Sequence, residues 1–275
     1  SSQQFIFLLG ILVFITLIIS LTFKAFMTYF TIRFVQMREF SIGRRLVEGY
    51  LKQPYSWFLS QNSADLGKSI LSEVNIVIGS GMKQLMGLIA ATFVVFAILI
   101  LLFVVDAKLT FIVGLSLGGS YLLIFFLVNK PLKKSGQERL KNNQLRFVAV
   151  SEAFGAIKEI KVGGLEQSYI KNFSNYAKIF AQTQAFAATI SQIPRFILEA
   201  IAFGGILLMI LYIMFLTGSF NNALPIISLY AFAGYRLMPA LQQIYASFTQ
   251  LTFVGPSLDK LYDDIKNLKP IILSD

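Results

Sequence analysis

The chain has 275 residues, 56% of them hydrophobic and 14% charged, with a formal net charge of +10 and a mean hydropathy of +0.68. Soluble domains carry roughly 25% charged residues, so this is the composition of a membrane protein. Cys and His are both 0, which excludes disulfides and thiolate metal sites and removes the commonest general base.

Phe5–Phe23 is the first uncharged apolar run, close to the ~20 residues a helix needs to cross a bilayer. Neither Gly nor Pro occurs between Ile11 and Ile42, so the helix is predicted to continue beyond the membrane to about Gln53, roughly 45 Å further at helical rise. Phe26, Phe30, Val35 and Leu46 recur there among Arg33, Arg38, Arg44 and Arg45, the pattern of a helix half buried against neighbours in water. Pro54 breaks it. Tyr55-Ser56-Trp57-Phe58-Leu59 and the polar SQNSAD follow, and a return helix is predicted from Leu66 towards Lys83.

Gly67-Lys68-Ser69 copies the letters that close a P-loop. A P-loop needs glycine five residues before Gly67, where this chain has Asn62; Asp65 would put a carboxylate inside the anion nest, and no β-branched strand precedes it. Nucleotide binding there is rejected. The expectation is instead that Gly67 lets the chain turn, Lys68 is solvated and Ser69 opens or caps a helix.

Leu85–Val105 and Leu109–Val128 read as the second and third spans, separated only by Asp106-Ala107-Lys108. The segment Asn129–Arg195 repeats the earlier plan, with a helix from Pro131 through Glu138 and Arg139 to Glu152, a turn at Gly163-Gly164, and an amphipathic helix returning to Pro194. Phe196–Thr217, interrupted by Glu199, is the fourth span. Ala223 to about Leu251, with Arg236 inside it, is the fifth, after the short loop Gly218–Asn222. The predicted fold is an all-α membrane protein with five transmembrane helices and two long cytoplasmic helical hairpins, at 24–84 and 129–195, forming one domain over 1–275.

The charge map orients it. Of 24 Lys and Arg, eight lie in the first long segment, eleven in the second and four from Arg236 onward, leaving Lys108 alone in a short loop. Setting aside Arg236, which lies within a span, the positive-inside bias makes the long segments and the C-terminal end cytoplasmic and the short loops external. The N-terminal end then lies outside, and one further span before Ser1 is expected.

Charges at membrane depth are costly and mark function. Lys24 and Arg195 sit near the inner ends of their spans, and Arg236 lies about 20 Å from the outer edge of its own at helical rise. Together they could form a cationic band for a phosphate or pyrophosphate headgroup. The alternatives are that Lys24 and Arg195 snorkel to the interface, that Arg195 pairs with Glu199 one turn on, and that Arg236 sits in a buried pair. Tyr55, Trp57 and Phe58 could anchor a partner or pack within their own hairpin. Gly114, Gly118 and Gly119 are expected to permit close helix packing, and Pro225, Gly234 and Pro239 to permit bending.

Several stretches together resemble the transmembrane domain of a type I ABC exporter. The first tip, PYSWFLSQNSADLGKSI, is similar to that family's first coupling element, with Ala64-Asp65 in place of its usual Thr-Gly. In the second tip the resemblance rests on Glu152, Gly155, Ile157, Glu159, Lys161 and Glu166. Tyr235-Arg236-Leu237-Met238-Pro239 and the trailing LDKLYDDI resemble the family's last span and its exit. Within the family, IPRFILEA and YRLMPALQQI look most like the lipid-linked oligosaccharide flippase branch.

The resemblance implies that the five spans are the second to sixth of a six-helix domain. It implies that Tyr55, Trp57, Phe58, Ser60, Asn62, Glu159, Lys161 and Glu166 couple to a nucleotide-binding domain outside this chain, where ATP and Mg would bind. Lys24, Arg195, Glu199 and Arg236 would face a substrate cavity. The chain itself would catalyse nothing. It would work as a dimer, with a homodimer expected, in a bacterial inner membrane, moving a lipid-linked or amphipathic substrate outward, with no nucleic acid partner. Rival readings are the same fold exporting peptides, drugs or other lipids, a membrane enzyme acting on polyprenyl phosphates, and a passive channel. The enzyme would need clustered Asp, Glu or His, and the channel would need no long stalks.

Overall fold

The computed structural model describes residues 2–105, 107–217 and 224–268, and among them helices are the only regular secondary structure, joined by short turns. α1 runs Ser2–Leu51, α2 Tyr55–Phe58 and α3 Ser63–Lys68. Two π-helical stretches, Ser69–Glu73 and Asn75–Met82, then lead into α4, Lys83–Val105. α5 covers Ala107–Gly155, α6 Ile157–Gly163, α7 Glu166–Thr217 and α8 Leu224–Asn267. At 50, 49, 52 and 44 residues, α1, α5, α7 and α8 are each far longer than a bilayer is thick.

Among the described residues, two continuous helical stretches, Gln3–Leu51 and Ser63–Val104, are long and apolar enough to cross a membrane. The other three expected spans lie on α5, α7 and α8. Asp106, the loop Gly218–Asn222 and Ala223 fall outside the described residues.

α5 packs along α7 and α8, α4 packs along α8, and α1 meets the π-helical stretches. Among the described residues, two cores hold these helices together. At the level of the spans, Val95, Tyr121, Leu237, Ala240 and Tyr245 converge. Beyond the apolar runs a larger core joins Val35, Leu46 and Tyr50 of α1, Val74 between the two π-helical stretches, Val77 and Ile78 of the second, Leu132 of α5, and Phe253, Val254 and Leu261 of α8. Its position follows from where water is. In lipid an outward-facing Phe or Leu costs nothing, so Phe5–Phe23 can stay exposed on this chain, whereas helices in water must bury their apolar stripe to persist.

Several local expectations change. The return helix starts at Ser63, earlier than Leu66, and α7 continues through Pro194 without a break. Gly118 and Gly119 have open space around them, and a Cβ at Gly114 would touch only the Leu99 side chain, at 3.8 Å. The glycine at a close helix crossing is Gly136, on α5 beyond the apolar run, where a Cβ would overlap the Phe253 carbonyl oxygen of α8. Close approach is needed where two stalks are drawn together by a shared core, and the runs in lipid lack that constraint.

The second tip turns at Gly164, whose φ of 63° is left-handed and caps α6. A side chain in that conformation costs roughly 1–2 kcal/mol. Gly164→Ala is therefore expected to raise protease sensitivity at this tip, while Gly155→Ala, with open space around it, leaves it unchanged.

Candidate functional site

The first tip is built on one half-buried tryptophan. Pro54, extended at φ −64° and ψ 154°, precedes α2. Trp57 stacks on Tyr50 of α1 at 5.7 Å between ring centroids, and Phe58 meets Trp57 edge-on at 5.1 Å. Such pairs contribute roughly 0.5–1.5 kcal/mol beyond the area they bury. Trp57 thus fastens the tip to its own stalk, while Tyr55 and Leu59 point outward at 78% and 72% exposure. The Ser60 hydroxyl donates to the Trp57 carbonyl at 2.8 Å. The Asn62 side chain accepts from the Ala64 N–H at 2.9 Å and caps α3.

Two expectations at Gly67-Lys68-Ser69 are overturned. Gly67 lies inside α3 rather than at a turn, and Lys68 is fully buried rather than solvated. Its ammonium pairs with Asp65 at 2.7 Å, three residues earlier. Ser69, as expected at a helix boundary, closes α3 and opens the first π-helical stretch, and its hydroxyl donates to Asp264 on α8 at 3.1 Å. Lys260 of α8 reaches Asp65 and Asp264, each at 3.7 Å. A cavity of about 160 Å³ lies between tip and α8, lined by Tyr50, Trp57, Asp65, Ser69, Lys260 and Asp264. Burial, and then the Asp264 carboxylate, push the Tyr50 phenol up to about 12. With Asp65 and Lys68 paired inside a helix, no phosphate cradle exists here.

One turn further on lies a cluster that the residue-by-residue reading missed. Arg139 of α5 is fully buried, as are Glu73, Asn143 and Ser257. Its Nη2 donates to Glu73 Oε2 at 2.8 Å and also to the Ser257 hydroxyl of α8. Asn143 Nδ2 donates to Glu73 Oε1 at 2.8 Å and to Ser72 Oγ at 2.9 Å. Arg146 donates to Asn143 Oδ1 at 2.7 Å and lies 4.0 Å over the Phe180 ring of α7. The available signals were a lone carboxylate in the apolar run Ile70–Ile78, and Arg139, Asn143 and Arg146 spaced four and three apart, on one helix face. Neither separates an inward face from a solvated one.

At the second tip, Lys161 and Glu166 form an exposed ion pair at 3.1 Å, and Glu159 sits on the same short helix α6. A polar groove of about 440 Å³ opens beside it, between Glu152 and Asn175. Glu166 accepts from its own backbone N–H at the start of α7 and from Lys161, and both hold its carboxyl below the usual range. A depressed value means the stabilisation is present above the ordinary carboxylate value and lost as pH falls through the lower one. Acidification is thus expected to loosen this tip in limited proteolysis, and Glu166→Gln to remove that dependence.

Nearer the spans, Arg195 and Glu199 pair at 2.7 Å, half exposed. Tyr121 of α5 lies within electrostatic reach of both charges. It also lines an apolar cleft of about 380 Å³ with Phe125, Leu241, Tyr245 and Phe248 of α5 and α8. Lys24 is exposed on α1, and no contact joins it to Arg195 among the described residues. The Arg236 side chain lies outside the described residues. The family model for the ABC transporter transmembrane region matches residues 1–239.

Proposed function

The chain belongs to this family of ABC transporter transmembrane regions, and on that premise we propose that it is the membrane half of an ATP-driven exporter. It works with a nucleotide-binding domain that binds ATP and Mg, pairs with a second transporter half, and flips a lipid-linked or amphipathic anion from the inner to the outer leaflet. The five apolar runs serve as the spans, in the bacterial inner membrane. The observation that carries this is the first tip. Its inner side, Trp57, is fastened to the stalk, and its outer side presents Tyr55 and Leu59 to whatever docks there. Exposed apolar side chains on a rigid, water-borne prong suit a partner's pocket. They would pass the closure of the nucleotide domains to the helices as rigid-body motion.

The substrate class rests on two neighbouring features. The half-exposed Arg195 offers a bidentate contact for phosphate, and the cleft beside Tyr121 accepts an apolar chain. Together they suit a lipid-linked pyrophosphate better than a peptide.

The test uses the full-length protein in vesicles, with ATP-dependent movement of a fluorescent pyrophosphate lipid as the readout. Lys24→Gln, Arg195→Gln and Arg236→Gln should each slow it, and Leu59→Asp should abolish it while the protein still folds. Unchanged rates in all three cation variants would eliminate the anionic headgroup. An unchanged rate in Leu59→Asp would eliminate docking at this tip.

A further inference from the structure

The return segment after the first tip is an odd mechanical part. It contains two π-helical stretches, Ser69–Glu73 and Asn75–Met82, separated only by Val74. A π-helix passes each hydrogen bond to the fifth residue instead of the fourth, and ordinarily survives only as single-turn bulges. Relaxing even one such turn to α-helix slides the preceding residues by one position. At 3.6 residues per turn that swings them about 100° around the axis and moves them about 1.5 Å along it. The first tip sits directly on this segment, so its aim depends on which register the segment holds.

Only a directional contact can choose between registers one residue apart, because an apolar surface accepts many alignments. The Glu73–Arg139 cluster is directional. Both Glu73 oxygens are taken, one by Arg139 and one by Asn143, and the same Arg139 nitrogen reaches Ser257 on α8. A swing of about 100° would carry Glu73 away from both donors and strand a buried charge. A second tie, Ser69 to Asp264, repeats the link between segment and α8 closer to the tip. The cluster sits about 16 Å beyond Val128 at helical rise, clear of the cations near the spans.

We infer that Glu73, Arg139, Asn143 and Ser257 are positioning residues that hold the π-helical segment in one register, so that the first tip and α8 move as a single body. This rests on the exporter reading above for its consequence in transport, but not for its geometry. The cost of burying the charges is retained because apolar packing alone would leave the tip free to slip.

The double variant Glu73→Leu/Arg139→Met tests it, since replacing a buried ion pair by apolar side chains of similar size is often neutral or stabilising. The protein is full-length and assembled, with spin labels on Gln61→Cys at the tip and Tyr262→Cys on α8; this chain has no cysteine of its own. The double variant is expected to assemble and melt like the parent while its tip-to-α8 distance distribution broadens or splits. ATP hydrolysis persists, and most of the transport per ATP is lost. The parent's single narrow distance in the double variant overturns the inference. Should the double variant not assemble, Arg139→Lys keeps the charge and loses the guanidinium fork, and a parent-like distance there overturns it equally. A parent protein that moves no lipid on ATP removes the exporter reading instead, and the label distances still decide the register.

Discussion

Arg139→Ala is expected to cost roughly 3–5 kcal/mol of stability, the range for removing one partner of a buried ion pair. Three observations place it there. Arg139 and Glu73 are 0% and 1% exposed at the side chain, so water cannot replace the lost contact. The Glu73 carboxylate would keep only Asn143 as a donor. The guanidinium also covers the Phe253 ring at 5.9 Å, so truncation opens space in the stalk core as well. Thermal unfolding of the purified protein checks this. Glu73→Ala should be of similar size, and Glu73→Ala/Arg139→Ala should cost less than the sum, because the second truncation removes the stranded charge left by the first. Arg195→Ala is the contrast. Its pair with Glu199 is a half-exposed helical neighbour pair, which solvent screens, so little stability should be lost. A loss there as large as for Arg139 would contradict the burial assigned to both.

Gly136→Ala is the second large effect. The added methyl would meet the backbone carbonyl of Phe253, an atom that cannot rotate aside, so α5 and α8 must separate. Overpacking of this kind costs roughly 1–3 kcal/mol, and Gly136→Val more. Separation also pulls Arg139, one turn along α5, away from Ser257, so the two sites should be non-additive. Gly49→Ala is the control. Its Cβ would meet only the end of the Leu268 side chain, at 2.6 Å, which can turn away. Unfolding temperatures of the three variants order them, and a Gly136→Ala protein as stable as the parent would remove the close α5–α8 crossing.

The tips were the most legible parts of the sequence. Pro54 cannot continue a helix and Gly164 alone tolerates a left-handed turn, so a single residue type fixes each break. Aromatic identity at the first tip was equally visible, yet the division of labour was not. Trp57 turns inward onto Tyr50 while Tyr55 turns outward, and three aromatics within four residues give no sign of which will face the stalk. Lys68 is the sharpest failure. A lysine near a polar tip reads as solvated, yet the packed helices bury it completely.

What the sequence determined by itself was the class of solvent each stretch requires. Long uncharged runs must be helical wherever water is absent, and cations collect on the side where they are retained. What only the tertiary structure decided was which charges leave the water. Burying Arg139, Glu73 and Lys68 depends on partners supplied by other helices or by a neighbouring turn. The free energy of a buried charge is set by those partners, and composition along one chain segment does not contain it.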